Sequence, residues 1–537
     1  MEASSHPDIR IRQKVGQMFM CGFTDTTPND DILKLIKEYF IGGIIYFRRN
    51  IGTARQVYAC SAALQQAAAE PLLIAVDQEG GMVARIEDDV TLMPGNMALG
   101  ATRNVEGVRQ AAVVVGRELR HLGINMNFAP CVDVNNNPAN PVIGVRSYGE
   151  SPVLVSEMGA AAADGFQQAG VAATIKHFPG HGDTDTDSHL ALPSIGHGRE
   201  RLAEIELLPF KRIIEAGVDA VMTAHVVFKA YEDEDIPATL SEKILTGLLR
   251  EELAFDGVIV TDCLEMNAIS QTVGVGPGAV QAVKAGADLI LVSHTYDWQV
   301  EAIEAVVEAV VSGEIPETRI DASVQRLAGL KKKREITKEE PPAFADIKVK
   351  LASEASLEVA RELSEQSITL LCDDGQLPLM EKEGIYVIWP EVRVSHEVVE
   401  ALQESMTLGT ALKPYFNNVR ERIIGVDPSD EEIREVLEES QSFSQIVAAT
   451  YNADFSPGQR MILQELAART EGRLVVVAVR NPYDYTAVPG IRTYLASYEN
   501  KALAMQSVAK ILAGQSIARG VLPVTVGEFA YGSGSIH

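Results

Sequence analysis

The sequence predicts an α/β protein with two domains, an N-terminal (β/α)8 barrel of the TIM type followed by an α/β/α sandwich. Short apolar runs alternate with longer amphipathic patterns over about the first 330 residues, which is the rhythm of a parallel barrel. A charged, proline-containing stretch then interrupts this rhythm, and a second series of strand-like runs follows it. With 537 residues, the chain also exceeds the size of one ordinary hydrophobic core.

Eight apolar runs predict the strands of the barrel. They lie at residues 15–22, 42–47, 72–76, 126–132, 171–175, 220–224, 257–261 and 287–292. Amphipathic stretches between them predict helices at residues 105–122, 153–169 and 241–253. A doubly wound sheet is the structural alternative, because it has the same alternation of strands and helices.

The charged stretch at residues 331–342 has the composition of a linker. We divide the chain into a barrel at 1–335, a linker at 336–350 and a C-terminal domain at 351–537. Apolar runs predict the strands of this second domain at residues 368–371, 385–389, 446–449, 474–479 and 521–526.

Composition excludes several classes of function. The net charge of −27 argues against binding nucleic acid or an anionic membrane, since both are polyanions. The five cysteines are odd in number, scattered and without CxxC spacing, which predicts free thiols in a reducing compartment. The N-terminus lacks the pattern of a signal peptide, and no run of 18 apolar residues occurs. We therefore expect a cytoplasmic protein.

The loop after the fifth predicted strand is the richest in ionisable residues. Asp187 lies two residues before His189, and a carboxylate this close can raise the pKa of a histidine toward neutrality. Such a pair is suited to carrying a proton.

A metal site is the main alternative for this loop. His177 and His181 have i, i+4 spacing, but a Pro-Gly pair between them breaks the helix that would align them. The spacing of the aspartates resembles a calcium loop, but Ser188 and Ser194 stand where that loop needs Gly and Glu. We expect no metal and no cofactor.

Most predicted barrel strands end in polar residues. Parallel strands of a barrel converge at one mouth, so these residues predict a deep polar pocket there. They are Asp77 with Arg85, Asp133 with Arg146, Lys176 with His177, His225, and Asp262. Any one of them alone has a structural explanation, such as a surface ion pair.

Asp262 ends the run of residues most enriched in β-branched side chains. A carboxylate there is a nucleophile, a metal ligand or a partner for Lys or Arg. Nearby cations would keep it ionised, which suits a nucleophile. Glu265 is the alternative nucleophile, and we expect it on the following helix.

Several motifs together resemble glycoside hydrolase family 3, in its bacterial β-N-acetylglucosaminidase branch. They are Lys-His-Phe-Pro-Gly-His-Gly at 176–182, Asp-Ser-His at 187–189 and Gly-Val-Ile-Val-Thr-Asp-Cys-Leu-Glu-Met at 257–266. Residues 77–81, 146–149, 236–241, 481–484 and 522–526 add to the resemblance, which spans about 10–530.

The resemblance implies a retaining exo-β-N-acetylglucosaminidase that acts on muropeptide or chitin fragments, with a role in peptidoglycan turnover. Asp262 would be the nucleophile that forms a covalent glycosyl-enzyme, and His189 the acid/base that Asp187 orients. The residues that would hold the sugar are Asp77, Arg85, Arg146, Lys176 and His177. The partner is then a small sugar, with no nucleic acid and no membrane involved.

One residue departs from the family pattern. Cys263 follows the proposed nucleophile where the family usually has Asp, Ser or Ala, and we expect altered tuning of the site rather than lost activity. Three alternatives remain open: a phosphorylase of the same fold, a β-glucosidase, which Asp187-Ser188-His189 disfavours, and a non-enzymatic sugar-binding protein.

Overall fold

A closed parallel sheet forms the first half of the structure, a computed structural model that describes residues 7–184, 192–339, 342–380, 384–392, 406–470 and 473–534. Its strands are β1 (Phe19–Cys21), β2 (Gly43–Tyr46), β3 (Leu73–Val76), β4 (Met126–Asn127), β5 (Ala172–Phe178), β6 (Ala220–Thr223), β7 (Val258–Val260) and β8 (Ile290–Val292). They pair in the order β7-β6-β5-β4-β3-β2-β1-β8, and a bridge between Val260 and Leu289 brings the two ends together. The predicted barrel is confirmed.

Helices surround this barrel, and the strands inside them are buried throughout, as in other sheets covered on both faces. The α-helices are Pro7–Gln17, Asp30–Glu38, Ala54–Ala67, Asn96–Thr102, Val105–His121, Pro152–Gln168, Arg199–Glu204, Leu207–Glu215, Asn267–Ser270, Val275–Ala285, Tyr296–Val311 and Glu317–Lys333. Polar caps fix the starts of some of them: Asn104 accepts from the backbone N–H of Gly107, and Ser151 from that of Leu154.

Shorter elements complete the barrel region. Gln78–Gly80 and Val83–Ala84 form an antiparallel hairpin, and Ser194–Ile195 pairs in parallel with Val227–Phe228. Three 3₁₀ turns occupy Arg48–Asn50, Gly144–Arg146 and Ala238–Leu240, and a π-helix spans Lys243–Glu252 where an α-helix was predicted.

Several predicted strand limits differ from the structure. Residues 15–17 belong to the helix Pro7–Gln17, so the first strand is shorter than its apolar run. The run at 126–132 keeps only Met126–Asn127 as strand, because Pro130 lacks an N–H for the ladder. In contrast, β5 continues beyond 175 to Phe178, since its polar residues find buried partners, described below.

The segment between the two domains packs against the barrel. Lys331, Lys332 and Lys333 form the last turn of the helix Glu317–Lys333 and do not form a linker. A short helix, Phe344–Lys348, follows, and the ring of Phe344 lies 5.5 Å from that of Tyr58. The domain limits at 335 and 350 stay predictions.

A second sheet of six strands follows. The strands are β9 (Thr369–Cys372), β10 (Ile385–Glu391), β11 (Val419–Gly425), β12 (Gln445–Thr450), β13 (Leu474–Ala478) and β14 (Thr493–Ala496), in the order β9-β14-β13-β12-β10-β11 with only β9 antiparallel. Along β10, Tyr386 and Ile388 pack into one apolar cluster, while Val387 and Trp389 pack into another on the opposite face. The predicted three-layer sandwich is therefore confirmed.

The helices of the second region are Glu354–Ser367, Leu408–Leu412, Asp430–Glu439, Pro457–Arg469, Asp484–Ala487 and Ala502–Leu512, with 3₁₀ turns at Ser440–Ser442 and Ala453–Phe455. Two strands, β11 and β14, were not predicted. β11 is an edge strand whose charged residues Arg420, Glu421 and Arg422 hide the strand pattern, as edge strands often do. Residues 521–526 form no strand, because Pro523 interrupts the run.

Two further expectations concern cysteines and membrane segments. All five cysteines are free thiols and four are buried, as predicted from their spacing, and the reducing compartment stays a prediction. Among the described residues, no helix combines the length and the apolar character needed to cross a bilayer.

Candidate active site

A cavity of about 430 Å³ opens at the carboxyl ends of the barrel strands, where enzymes of this architecture keep their active sites. Every described residue that lines it lies between Ile45 and Trp298. Six of the eight predicted site residues line it: Asp77, Arg85, Arg146, Lys176, His177 and Asp262. Asp187 and His189 lie outside the described residues.

The hairpin after β3 brings Arg85 back over Asp77. The Gln78 side chain accepts the backbone N–H groups of Arg85 at 2.9 Å and Ile86 at 3.1 Å, which fixes the return of the chain. Gly80 and Gly81 form the turn with positive φ angles of 100° and 54°, which favour glycine. The Arg85 guanidinium consequently lies 4.0 Å from the Asp77 carboxylate.

A buried ion network forms the inner wall of the cavity. Glu79 accepts two bonds from the Arg146 guanidinium, at 2.8 and 3.1 Å, and lies 2.7 Å from the ammonium of Lys176. Lys176 also donates to Asp77 at 2.7 Å. Burial opposes ionisation of Glu79, but the charges of Arg146 and Lys176 outweigh it and lower its pKa. Burial would likewise lower the pKa of Lys176, but Asp77 and Glu79 raise it. The network therefore stays charged at neutral pH.

Asp133 orients the polar end of β5. Its carboxylate accepts from the ring Nδ1 of His177 at 2.7 Å and from the backbone N–H of His181 at 2.7 Å. Although burial opposes it, His177 lowers the pKa of Asp133 to about 2. When Nδ1 donates to this carboxylate, the Nε2 of His177 is left on the cavity side, 3.5 Å from Arg146.

Cys131, Asp133 and His177 are also a candidate metal-ligand set. Their ligand atoms lie within 4.8 Å of one another, and all three residues are buried. However, the carboxylate and imidazole already contact each other directly, and the Arg146 guanidinium lies beside them. A cation there would have to separate this pair beside a fixed positive charge, so the geometry favours a hydrogen-bonded pair.

Asn140 joins the loops that follow β4 and β5. Its Oδ1 accepts the backbone N–H groups of Val142 and Ile143, at 2.9 and 2.8 Å. Its Nδ2 donates to the carbonyls of His181 and Gly182, at 2.8 and 3.0 Å. The turn that carries Arg146 is thereby fixed against the strand end that carries Lys176 and His177.

His181 lies at the wall of the cavity near Asp262, and it is buried. Burial, together with the charge of His177, lowers the pKa of His181 to about 4. Its Nδ1 lies 2.8 Å from the hydroxyl of Thr184. His181 is therefore a neutral side chain at pH 7 and offers a hydrogen bond without a charge.

Asp262 lies two residues beyond the end of β7, with its Oδ1 accepting the backbone N–H of Cys263 at 2.7 Å. The Cys263 thiol lies 2.8 Å from the Ser293 hydroxyl, and burial raises its pKa to about 12. Glu265 was expected on the following helix, but it lies in the turn before that helix begins at Asn267. It lines the cavity and accepts the backbone N–H groups of residues 294 and 295.

Sequence reasoning missed part of the site. Glu79 was not singled out, and Asp133 was placed at the pocket without a specific partner, because the partners of both are distant in sequence. The other missed residues follow β2 and β8, and the same strand-end argument would have found them: Phe47, Arg49, His294 and Trp298. Conversely, His225 bonds to the Thr239 hydroxyl and the Cys263 carbonyl, and it does not line the cavity.

Loops of the second region brace the loops that carry the site. Asn135 donates to the Tyr483 hydroxyl at 2.8 Å, and the carboxylate of Glu150 accepts the backbone N–H and hydroxyl of Thr525, each at 2.7 Å. Glu499 accepts the backbone N–H of residue 95, next to the hairpin. These contacts flank the turns that present Arg85 and Arg146.

Comparison with known proteins identifies the family. A family model described as the glycosyl hydrolase family 3 N terminal domain matches residues 10–330. Beta-hexosaminidase A of Pseudoalteromonas piscicida is 32% identical over 94% of this chain and 92% of its own. A beta-N-acetylglucosaminidase/beta-glucosidase of Cellulomonas fimi is 28% identical over 95% and 93%. The structure of a glycoside hydrolase family 3 beta-N-acetylglucosaminidase from Paenibacillus sp. str. FPU-7 superposes with a TM-score of 0.93 at 53% identity, covering 96% of this chain and 98% of that one. The resemblance inferred from the motifs is thus confirmed, and the chain belongs to glycosyl hydrolase family 3.

Proposed function

We propose that this glycoside hydrolase is a retaining exo-β-N-acetylglucosaminidase that releases terminal, non-reducing N-acetylglucosamine. The observation that carries the proposal is the convergence of Asp77, Lys176, Arg146 and His177 on one cavity that also contains Asp262. The names of the Pseudoalteromonas and Paenibacillus relatives support the choice of sugar.

The inner wall would hold the terminal sugar. Lys176 and Arg146 offer N–H donors, His177 offers its Nε2, and Asp77 offers carboxylate oxygens, so together they match the hydroxyl groups of a pyranose. The ion pairs among them fix these side chains before the substrate arrives, which reduces the entropy lost on binding. Arg85, beside Asp77, would contribute a further donor.

Asp262 would act as the nucleophile. In the first step its carboxylate attacks the anomeric carbon while the bond to the leaving oxygen breaks, and that oxygen takes a proton from the general acid. The backbone N–H of Cys263 fixes one carboxylate oxygen. In the second step water gives a proton to the base and attacks the same carbon from the opposite face. The ester to Asp262 breaks, and the sugar leaves with its original anomeric configuration.

His189, oriented by Asp187, would be the acid/base. Both lie outside the described residues, so their role rests on the resemblance of 187–189 to the family branch. One observation favours it over a glutamate from the second domain: none of the described residues beyond Trp298 lines the cavity. An imidazole suits the task because its pKa lies near neutrality.

Muropeptide and chitin fragments are the proposed substrates. Peptidoglycan turnover and the cytoplasmic location stay predictions. Product analysis with and without inorganic phosphate separates hydrolysis from phosphorolysis, since only the phosphorylase yields a sugar 1-phosphate. Comparison of aryl β-N-acetylglucosaminide with aryl β-glucoside separates the β-glucosidase alternative.

A His189→Ala variant tests the proposed mechanism. A general acid matters most when the leaving group is poor, so the variant should lose turnover of a disaccharide but keep fast glycosylation by a nitrophenyl glycoside. A burst of nitrophenol followed by a slow steady state is expected, because the same imidazole must activate water. Azide should accelerate this slow phase and give a β-glycosyl azide. Equal loss on both substrates without a burst would remove His189 from the acid/base role.

A further inference from the structure

Two short segments flank residues 185–191, which carry the proposed acid/base. We refer to residues 181–184 as the entry segment and to residues 192–201 as the exit segment. The entry segment begins at the wall of the cavity, because His181 lines it. The placement of the two segments limits where the residues between them can reach, since a chain spans at most about 3.5 Å per residue.

The two segments are attached to different loops of the barrel. The Thr184 hydroxyl accepts from the Nδ2 of Asn140 at 3.2 Å, which connects the entry segment to the loop after β4. In the exit segment, Ser194–Ile195 pairs with Val227–Phe228, which follows β6. Because these loops follow different strands, neither attachment by itself fixes the distance between the two segments.

Asp183 joins the two segments directly. Its Oδ2 lies 2.6 Å from the Nε2 of His197 and 3.8 Å from the guanidinium of Arg201. Asp183 and His197 are 14 residues apart in the sequence, so their contact closes the base of the loop between them. A contact that closes a loop reduces the number of conformations open to the residues inside it. The Asp183 side chain is 23% exposed, so water screens the contact only in part.

A buried carboxylate fixes Arg201 in turn. Arg201 donates to the two oxygens of Glu206 at 2.8 and 2.7 Å, and Glu206 also accepts from the side-chain amide of Asn136 at 3.0 Å. Glu206 is 1% exposed, and Asn136 belongs to the loop after β4. We refer to Asp183, His197, Arg201 and Glu206 as the bridge network. It connects the base of the loop to the interior of the barrel region.

We infer that Asp183 is a positioning residue for the acid/base, and that its contacts with His197 and Arg201 hold the ends of the loop so that His189 reaches the leaving oxygen. The inference rests on the proposed function, because it concerns the general acid of the same reaction. Asp183 is not among the described residues that line the cavity, so it acts through the loop and not through contact with the sugar. A displacement of about 1 Å is enough to cost a catalytic group much of its effect.

An Asp183→Ala variant tests the inference through the leaving group. Chitobiose needs protonation of its leaving oxygen, whereas a dinitrophenyl N-acetylglucosaminide does not. We expect kcat/KM for chitobiose to fall about 10- to 100-fold and that for the dinitrophenyl glycoside to change less than about twofold. Asp183→Asn can still bond to His197 and should restore most of the loss.

The second step of the reaction gives an independent readout. The same imidazole must activate water, so Asp183→Ala should release a burst of dinitrophenol followed by a slower steady state. Azide should accelerate the slow phase, which a general loss of structure would not allow. The matched control is Asp321→Ala, which removes an aspartate paired with Lys14 on the helix Glu317–Lys333. Its kcat/KM should equal that of the wild type on both substrates.

Two results overturn the inference. Equal losses on both substrates would make Asp183 a structural residue, and no loss on either would leave it without a role in the reaction. If Asp183→Ala does not fold, His197→Ala provides the same comparison at a side chain that is 42% exposed. Failure of the proposed function is recognised separately, since His189→Ala would then also lack the dependence on the leaving group.

Discussion

The two ends of the barrel both bury carboxylates among cations, but they do so differently. At the amino ends of the strands, Asp288 accepts from Arg250, from the Ser323 hydroxyl at 2.5 Å and from the backbone N–H of Ile259 at 3.0 Å. At the carboxyl ends, Glu79 lies between Arg146 and Lys176.

The cations of the two networks have different neighbours, and this difference indicates different roles. Around Asp288 the arginines also bond backbone carbonyls: Arg250 those of residues 255 and 257, and Arg319 those of residues 283 and 287. Around Glu79 the cations line a cavity. Buried charge at the base of the barrel therefore serves stability, while buried charge at the mouth is available to a ligand.

Asp262→Asn should produce the largest effect and should affect activity alone. We expect turnover of a nitrophenyl N-acetylglucosaminide to fall by at least about three orders of magnitude, because no other group replaces the covalent step. The midpoint of thermal unfolding should stay within a few degrees of wild type. Activity near the wild-type level would mean that the mouth carboxylate at 262 is not the nucleophile.

Asp288→Asn should lower the stability of the protein and leave its activity unchanged. Removal of one partner from a buried ion cluster leaves uncompensated charge, so the free energy of unfolding should fall by about 3–5 kcal/mol in denaturant titration. The kcat and KM of the folded enzyme should be unchanged. Glu251→Gln, at an exposed position of the same end, is the control and should leave the free energy of unfolding unchanged. A large change in KM would show that the ion cluster at the amino ends of the strands also affects substrate binding.

Glu79→Gln examines whether the mouth network is purely functional. The amide keeps the shape but loses the charge that holds Arg146 and Lys176, so kcat/KM should fall about 10- to 100-fold, which corresponds to losing charged hydrogen bonds. The free energy of unfolding should fall less than it does in Asp288→Asn. If stability falls as for Asp288→Asn while kcat/KM stays normal, Glu79 is a structural residue like those at the base.

His181 should make the free energy of unfolding depend on pH. Its pKa is lowered from 6.5 to about 4 in the folded state, so the unfolded chain takes up a proton that the folded chain excludes. The resulting stability is present above pH 6.5 and is lost as the pH falls toward 4, by up to about 1.4 kcal/mol per pH unit. His181→Asn should flatten this slope in unfolding measured between pH 4 and 7. An unchanged slope would contradict the buried, neutral assignment.

The thiols should have the smallest effect. Reductant should leave the midpoint of unfolding unchanged, because none of the five cysteines is paired. Titration with a thiol reagent in denaturant, without reductant, should count five free groups. A count of three would reveal a disulfide.

The sequence was sufficient for the barrel because most of its strands are apolar runs that end in a polar residue. It failed for β11, whose charges hide an edge strand, and for the run at 521–526, which Pro523 interrupts. The strand-end argument found Asp77, Lys176 and Asp262, which the structure brings to one cavity. It did not find the pairing of Glu79 with Arg146, since 67 residues separate them and no local pattern reports such a contact.

Chemical trapping of the intermediate tests the central claim most directly. A 5-fluoro-N-acetylglucosaminyl fluoride should inactivate the enzyme and leave a glycosyl ester, since the fluorine slows hydrolysis of the covalent intermediate. Peptide mapping by mass spectrometry should place this ester on Asp262, the carboxylate in the cavity just beyond the end of β7. A label on Glu265, or on a carboxylate of the second domain, would contradict the account.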